Sequence, residues 1–99
     1  MQIEFRGDDA TVAFGGDFTF TDHVAFREAA DRLFRTQNQP LVINLARLEF
    51  IDSAGLGMLL IARDEASKAG RSLTLQRPQG QVARMFAVTK FDTLFTIVA

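Results

Sequence analysis

Residues 50–57 read Phe-Ile-Asp-Ser-Ala-Gly-Leu-Gly, and this stretch joins two segments of different periodicity. The segment before it, residues 41–45, is an apolar run of strand length, typical of a strand buried on both faces of a sheet. The segment after it, from about 54 to 69, has apolar residues at helical spacing, and Gly70 fits the left-handed position that ends a helix. The stretch is therefore predicted to connect a buried strand to a helix, with Ser53 exposed at the N-cap.

Gly55 and Gly57 fall in the first turn of this predicted helix, where glycine is a poor helix former. Two glycines there predict that another group approaches the backbone closely. The free amides and partial positive charge of a helix N-terminus favour an anion, so a phosphate on Ser53 would be tolerated there, with Asp52 beside it as a repelling charge. The alternative is that Ser53 only caps the helix and the glycines only allow close packing. The residues alone leave both interpretations open.

The rest of the chain divides into further strands and helices. In chain order they are a strand at 2–6, a turn at 7–9, a strand at 11–14 ended by Gly15 and Gly16, a helix from the cap Thr21 to about Phe34, a loop closed by Pro40, and, after Gly70, a strand at 72–76, a helix at 82–88 and an edge strand or packed tail at 95–98. Strand–helix–strand units cross over right-handed and keep their strands parallel. The predicted fold class is therefore α/β: one domain, residues 1–99, with an opening β-hairpin, a mixed β-sheet built from βαβαβ-type units, and helices packed against it.

The composition excludes several classes of function. The chain has 99 residues, a formal net charge of −1, one His and no Cys, which rules out thiol catalysis, Cys-ligated zinc and a His-rich metal site. Neither enzyme activity nor a cofactor is expected, and His23 is interpreted as a surface or capping residue. Interleaved acidic and basic residues argue against direct nucleic acid binding. The longest apolar run, residues 58–62, is far short of the ~20 residues of a membrane span, and no apolar leader is visible, so a cytoplasmic protein with no membrane partner is expected.

The predicted second helix presents more than one apolar stripe. At about 100° per residue, its core side collects Gly55, Met58, Leu59, Ala62, Ala66 and Ala69. Leu56 and Leu60 fall on a different stripe together with Arg63, and Ile61 falls among charged residues. This second stripe is either covered by neighbouring elements or forms an exposed docking surface beside Ser53.

Residues 51–57, Ile-Asp-Ser-Ala-Gly-Leu-Gly, resemble the signature of the STAS domain found in bacterial anti-sigma factor antagonists, and the predicted elements follow the family order along the whole chain. The resemblance implies a transcription regulator that binds an anti-sigma factor and is released when that partner, a serine kinase, phosphorylates Ser53. Residues 16–23 and 91–95 resemble a subgroup associated with response regulators that carry phosphatase or kinase domains, which implies a PP2C-type phosphatase as a further partner. The free protein is expected to be a monomer. Together with the helix stripe, the resemblance assigns partner binding to residues around Ser53, namely Asp52, Ala54, Gly55, Leu56, Gly57, Leu60 and Arg63.

The sequence departs from the family pattern at two positions. Many members have Asp where this chain has Thr19 and Asn44, and those acids are expected near the phosphorylation site; Asp17 and Asp22 are expected to compensate. Ala54 replaces a second Ser that is frequent in the family. The resemblance also leaves a second function open, because STAS domains serve as phosphorylation-independent interaction modules in transporters and lipid-trafficking complexes.

Overall fold

The computed structural model describes residues 1–7, 10–36 and 40–99. Most of the predicted turn at 7–9 and the part of the predicted loop at residues 37–39 lie outside these ranges.

The strands and helices follow one another in the predicted order. They are β1 Gln2–Arg6, β2 Thr11–Phe18, α1 His23–Phe34, β3 Leu41–Ile51, α2 Ser53–Lys68, β4 Leu73–Gln76, α3 Gly80–Val88 and β5 Thr96–Val98. Single 3-10 turns at Phe20–Asp22 and Phe91–Thr93 precede α1 and β5. The last segment is therefore a strand and not a packed tail.

The five strands form one mixed sheet in the order β1-β2-β3-β4-β5. β1 and β2 pair antiparallel, as the predicted hairpin, and β2 to β5 are parallel neighbours. Each strand–helix–strand unit steps one strand in the same direction, so right-handed crossovers place α1, α2 and α3 on the same face of the sheet. The predicted α/β fold class, with its hairpin and βαβαβ-type units, is confirmed.

The helix-covered face of the sheet carries the hydrophobic core. One row of apolar side chains in register crosses all five strands on that face: Phe5, Val12, Ile43, Leu75 and Ile97. Phe14, Phe18 and Phe26 pack between β2 and α1, with ring centroids 5.2 to 5.9 Å apart. Side chains alternate between the two faces along each strand, so the residues directly before and after each member of the row point to the other face of the sheet. The core thus draws on nearly every element, as the spread of Phe along the chain predicts.

β3 is longer than the predicted strand at residues 41–45, with 11 residues, Leu41–Ile51. Its second half pairs with β2 alone, because β4 ends opposite Asn44. β2 also continues through the two glycines that were predicted to end it, with irregular register there, and reaches Phe18 opposite Ile51. An unbroken apolar run was too strict a criterion here, because this half of β3 mixes buried residues with exposed ones. The end of β3 therefore lies directly before the start of α2.

The open edge of this second half of β3 is covered by the start of α3. The side chain of Gln81 accepts a hydrogen bond from Ile51 N–H and donates one to the Ile51 carbonyl, both 2.9 Å long. These replace the bonds that a neighbouring strand would make. Gln79 also donates to the carbonyl of Ala46. α3 begins at Gly80, earlier than predicted, and fixes the end of β3 just before its junction with α2.

Candidate functional site

The start of α2 is capped by Asp52 and not, as predicted, by Ser53. Oδ1 of Asp52 accepts a 2.8 Å hydrogen bond from Gly55 N–H, and its carbonyl oxygen accepts one of 3.1 Å from Leu56 N–H. Asp and Ser are both good N-caps, so the choice depends on where β3 releases the chain, and the sequence pattern does not reveal that point. Ser53 is the first helical residue, and its side chain is exposed as predicted.

The second carboxylate oxygen of Asp52 links α2 to the turn that precedes α1. Oδ2 accepts a 3.2 Å hydrogen bond from Phe20 N–H, and the backbone N–H of Asp52 donates a 3.2 Å bond to the carbonyl of Phe18. The 3-10 turn containing Phe20 therefore lies against the first turn of α2. Together they form one continuous surface around Ser53.

Thr19 and Asp22 lie at the two ends of this 3-10 turn. The N–H and hydroxyl of Thr19 lie 2.8 and 3.4 Å from Oδ2 of Asp22. Asp22 is also the N-cap residue of α1, so the prediction that Thr21 caps this helix is wrong. Burial by itself would raise the pKa of Asp22, but the hydrogen bonds, above all that from Thr19 N–H, lower it below its ordinary value. Asp22 is therefore charged, and its other carboxylate oxygen lies 3.4 Å from the N-terminal ammonium. Asp17 lies exposed on β2, and the compensating role of both acids stays a prediction.

Asn44 lies in a different part of the fold. It is buried on β3, where its Nδ2 donates a 2.9 Å hydrogen bond to Gln76 and its Oδ1 accepts one of 3.0 Å from Ala46 N–H. Ile51 lies seven positions further along the extended strand, a distance on the order of 20 Å. The expectation that this position lies near the phosphorylation site is therefore wrong for this chain, and Asn44 serves to join β3 to β4.

The two glycines of the first turn have different surroundings. A Cβ on Gly55 would stand 2.7 Å from Cγ1 of Ile51 and 2.8 Å from the carbonyl oxygen of Phe18, so α2 approaches the sheet too closely for any larger residue. A Cβ on Gly57 would meet nothing within 4 Å. The predicted close approach is confirmed at Gly55, where the protein's own sheet makes it. At Gly57 no group of the described chain makes such an approach, so there the prediction stays open, and this residue leaves a patch of bare backbone on the surface.

The buried side of α2 adds one residue, Leu56, to four of the six predicted ones: Gly55, Leu59, Ala62 and Ala66. Leu56 has an exposed fraction of 6%, so its assignment to an exposed partner surface is wrong and it belongs to the core. Leu56 lies about 60° around the helix from fully buried Leu59, and this arc faces the sheet. Met58, placed on the core side by its spacing, is only half-buried, and Ala69 is exposed at the C-cap.

Of the remaining predicted partner residues on α2, Leu60 is 37% exposed, as a docking stripe requires. Arg63 is half-buried, and its Nε donates a hydrogen bond to the carbonyl of Leu94, which ties α2 to the segment before β5. Ala54 is half-buried in the first turn. A role for these residues in partner binding stays a prediction.

Three apolar side chains that the sequence analysis did not assign to a site lie exposed close to this surface. Phe20 is 66% exposed, Val24 on α1 is 58% exposed, and Ile61 on α2 is 57% exposed. The charged neighbours of Ile61 were a signal of exposure. For Phe20 the sequence held no such signal, because its exposure follows from the turn that the chain makes after Phe18.

The described part of the chain offers no metal-binding constellation. Within residues 1–7, 10–36 and 40–99, no three His, Cys, Asp or Glu side chains are grouped so that they could hold a metal ion. His23 is exposed, and its Nδ1 lies 3.2 Å from the carbonyl oxygen of Phe20. None of the described helices combines the length and the hydropathy that a membrane crossing requires. A free hydroxyl, bare backbone and exposed apolar side chains are instead the features of a protein-binding surface.

Comparison with known proteins gives consistent matches over nearly the whole chain. A family model described as Mlab, STAS domain, matches residues 1–98. A STAS-domain containing protein of Pseudomonas aeruginosa (strain UCBPP-PA14) is 33% identical over 91 residues, which are 92% of this chain and 89% of that protein. A crystal structure from Thermotoga maritima, described as that of a candidate anti-sigma factor antagonist, has a TM-score of 0.79 at 20% identity and covers 99% of this chain and 85% of its own. The anti-sigma factor antagonist SpoIIAA in its unphosphorylated form has a TM-score of 0.69 at 22% identity, over 99% of this chain and 86% of its own. The two structures share this fold.

Proposed function

This chain belongs to the STAS domain family, and from that membership we propose that it is an anti-sigma factor antagonist, a non-enzymatic regulator of transcription that acts by exchanging partners. With a free hydroxyl on Ser53 it binds an anti-sigma factor in the cytoplasm. That partner, acting as a serine kinase, phosphorylates Ser53 and is released, and a PP2C-type phosphatase restores the hydroxyl. The names of two proteins with the same fold, which describe anti-sigma factor antagonists, support this direction.

The observation that carries the proposal is the position of Ser53. Its side chain is exposed on the first residue of a 16-residue helix, and the cap of that helix is supplied by Asp52. A phosphate on Ser53 therefore breaks no capping hydrogen bond and meets the partial positive charge of the helix start, while the Asp52 carboxylate opposes it. We expect the fold to survive phosphorylation and the local charge to change by about −1.5 to −2.

The surface next to Ser53 explains why that charge would displace a partner. Ser53, Gly57 and Leu60 lie within an arc of about 60° on the outward side of α2. This strip, the α2 outer strip, combines a hydroxyl, bare backbone and an exposed apolar side chain, and exposed Phe20 lies beside its first turn. A partner packed against Gly57 would have to bury the phosphate or meet it with a cation, and burying an unpaired charge is costly.

The test uses one charge placed at two positions of the same helix. Ser53→Asp is expected to bind the candidate anti-sigma factor at least tenfold more weakly, a loss of ~1.4 kcal/mol, while Ser53→Ala keeps the affinity and resists the kinase. Ser67→Asp is the matched control, because it adds the same charge about 21 Å further along α2. Its affinity should stay within about twofold of the unmodified protein, as measured by titration calorimetry.

Circular dichroism checks that each variant is folded. Equal affinities for folded Ser53→Asp, Ser53→Ala and the protein phosphorylated on Ser53 would refute the switch. The phosphorylated protein is included because a carboxylate is smaller and less charged than a phosphate.

A second candidate function is a phosphorylation-independent interaction module of a transporter or lipid-trafficking complex. It is favoured by Thr19, which stands where many family members have an Asp and is itself engaged with Asp22. In that case all Ser53 variants bind alike, Leu60→Asp alone weakens binding, and mass spectrometry of cell extract finds no phosphate on Ser53.

A further inference from the structure

An apolar groove runs between α1 and α2 on the side turned away from the sheet. Its volume is about 440 Å³, and it is lined by His23, Val24, Phe26, Arg27, Glu28, Met58 and Ile61. Val24 and Ile61 on its two sides are each more than half exposed, although the side of a helix that is turned away from the sheet is normally polar. Exposed apolar side chains that face one another across a groove mark an interaction site more often than isolated ones do.

One end of this groove is closed by an ion-pair network. Arg27 donates hydrogen bonds of 2.7 and 2.8 Å to the two carboxylate oxygens of Glu65 and one of 3.0 Å to Asp31. These hydrogen bonds hold the pKa of Glu65 below its ordinary value, against the opposing effect of burial, so the carboxylate stays charged at neutral pH. With Glu28, which lines the groove, three carboxylates lie at or near this end, and the cations beside them are Arg27 and Lys68, so the rim keeps a net negative charge.

The opposite end of the groove continues into the surface around Ser53. The ring of His23, which lines the groove, lies 5.7 Å from the ring of Phe20, whose N–H is bonded to Asp52. On α2, Ile61 follows Leu60 and lies about two helical turns beyond Ser53. A partner seated in the groove would therefore extend over the α2 outer strip.

We propose that this groove binds an amphipathic helix of the partner protein, with apolar residues along one side and Lys or Arg beside them. The apolar side packs between Val24 and Ile61, and the cations face Glu28 and Glu65, which is the helix-in-groove mode of recognition. The proposal rests on the proposed function, because the helix belongs to the partner that also covers Ser53.

The acidic rim argues against two other occupants. A second copy related by a twofold axis would set one acidic rim against the other, because the same patch serves both subunits. An anionic membrane surface would repel the same carboxylates. A basic helix instead meets complementary charge.

The probe is a fluorescein-labelled peptide of about 14 residues built from Leu and Lys, with Leu at helical spacing, and its binding is followed by fluorescence anisotropy. Val24→Gln and Ile61→Gln are each expected to weaken binding at least tenfold, since they remove apolar contact without changing charge. Val88→Gln, at an exposed apolar position on α3, is the matched control and should stay within about twofold. The same peptide with Glu in place of Lys should not bind, and thermal melting checks that the variants are folded.

Several outcomes would overturn the proposal. In the peptide titration they are a peptide that does not bind, a loss of affinity with Val88→Gln equal to that with Ile61→Gln, and a Glu peptide that binds as well as the Lys peptide. A dimer in sedimentation equilibrium that Ile61→Gln disperses would make a second copy the occupant. Binding of the protein to anionic vesicles without binding of the peptide would make a membrane the occupant. The same variants measured against the candidate anti-sigma factor separate the two proposals. If Ser53→Asp binds normally while Ile61→Gln does not, the switch fails and the groove stands; the reverse pattern overturns the groove and supports the switch.

Discussion

Gly55 and Gly57 stand two residues apart on α2, yet an added methyl group is expected to have opposite effects on stability at the two positions. At Gly57 a Cβ would meet nothing within 4 Å, so Gly57→Ala gains the helix propensity of alanine. That gain is about 1 kcal/mol in the free energy of unfolding. In a domain of this size, it raises the melting temperature by roughly 4–8 °C.

Gly55→Ala gains the same propensity but creates a collision. Its Cβ would stand 2.7 Å from the fully buried side chain of Ile51 and 2.8 Å from the backbone carbonyl of Phe18, which cannot rotate away. Overpacking of this kind costs typically 1–3 kcal/mol, and more where backbone must move. We therefore expect a net loss of about 1–2 kcal/mol in the free energy of unfolding.

Urea denaturation of both variants measures this difference, with unchanged m-values as the control for two-state unfolding. Stabilisation by Gly55→Ala equal to that by Gly57→Ala would refute the close approach of α2 to the sheet. Gly57→Ala also provides a functional readout, because Gly57 lies on the α2 outer strip. A more stable protein that binds the candidate anti-sigma factor less well is expected from this variant.

Four further variants test the capping, the core and the acid stability of the same region. Asp52→Ala removes the cap of α2 and should cost about 1 kcal/mol of unfolding free energy in urea denaturation; no loss would mean that another group caps the helix. Leu56→Ala should cost about 2–4 kcal/mol and Leu60→Ala within about 1 kcal/mol by the same assay, whereas equal losses would contradict the rotation of α2 described above. The pKa of Glu65 is lowered in the folded protein by its hydrogen bonds from Arg27, so its contribution to stability is present above the ordinary value of 4.5 and is lost as the pH falls through the folded pKa. Glu65→Gln should therefore lower the melting temperature at neutral pH but have little effect well below pH 4.5, and an equal effect at both pH values would exclude this linkage.

Local patterns in the sequence were sufficient to predict the order of the strands and helices. Gly70 has a φ of +70°, and the N–H of Arg71 donates a 2.8 Å bond to the Ala66 carbonyl across the end of α2, so the predicted C-cap is confirmed. Signals of this kind work because a helix end must satisfy its own backbone groups within a few residues. The strand at residues 41–45 was also found, but its burial differs from the prediction, because the helices cover one face of the sheet and Val42 on the other face is only half-buried.

The site was predicted less completely, because its details depend on contacts between distant segments. Whether Asp52 or Ser53 caps α2 depends on where β3 ends, and that point is set by β2 pairing as far as Phe18 and by Gln81 of α3. The sequence pattern also could not separate Gly55 from Gly57. Both are poor helix formers, but only one faces the sheet.

The sequence by itself determined the α/β class, the succession of elements and the exposed Ser53 at the start of the second helix, because periodicity and end signals are local properties of the chain. Only the tertiary structure decided how α2 is rotated against the sheet, which buries Leu56 and leaves Leu60 exposed. It also decided which side chains of α1 and α2 face each other, so that Val24 and Ile61 border one groove. Helical spacing gives the angles between residues of one helix, but the direction of the buried side is set by packing against segments far away in the sequence.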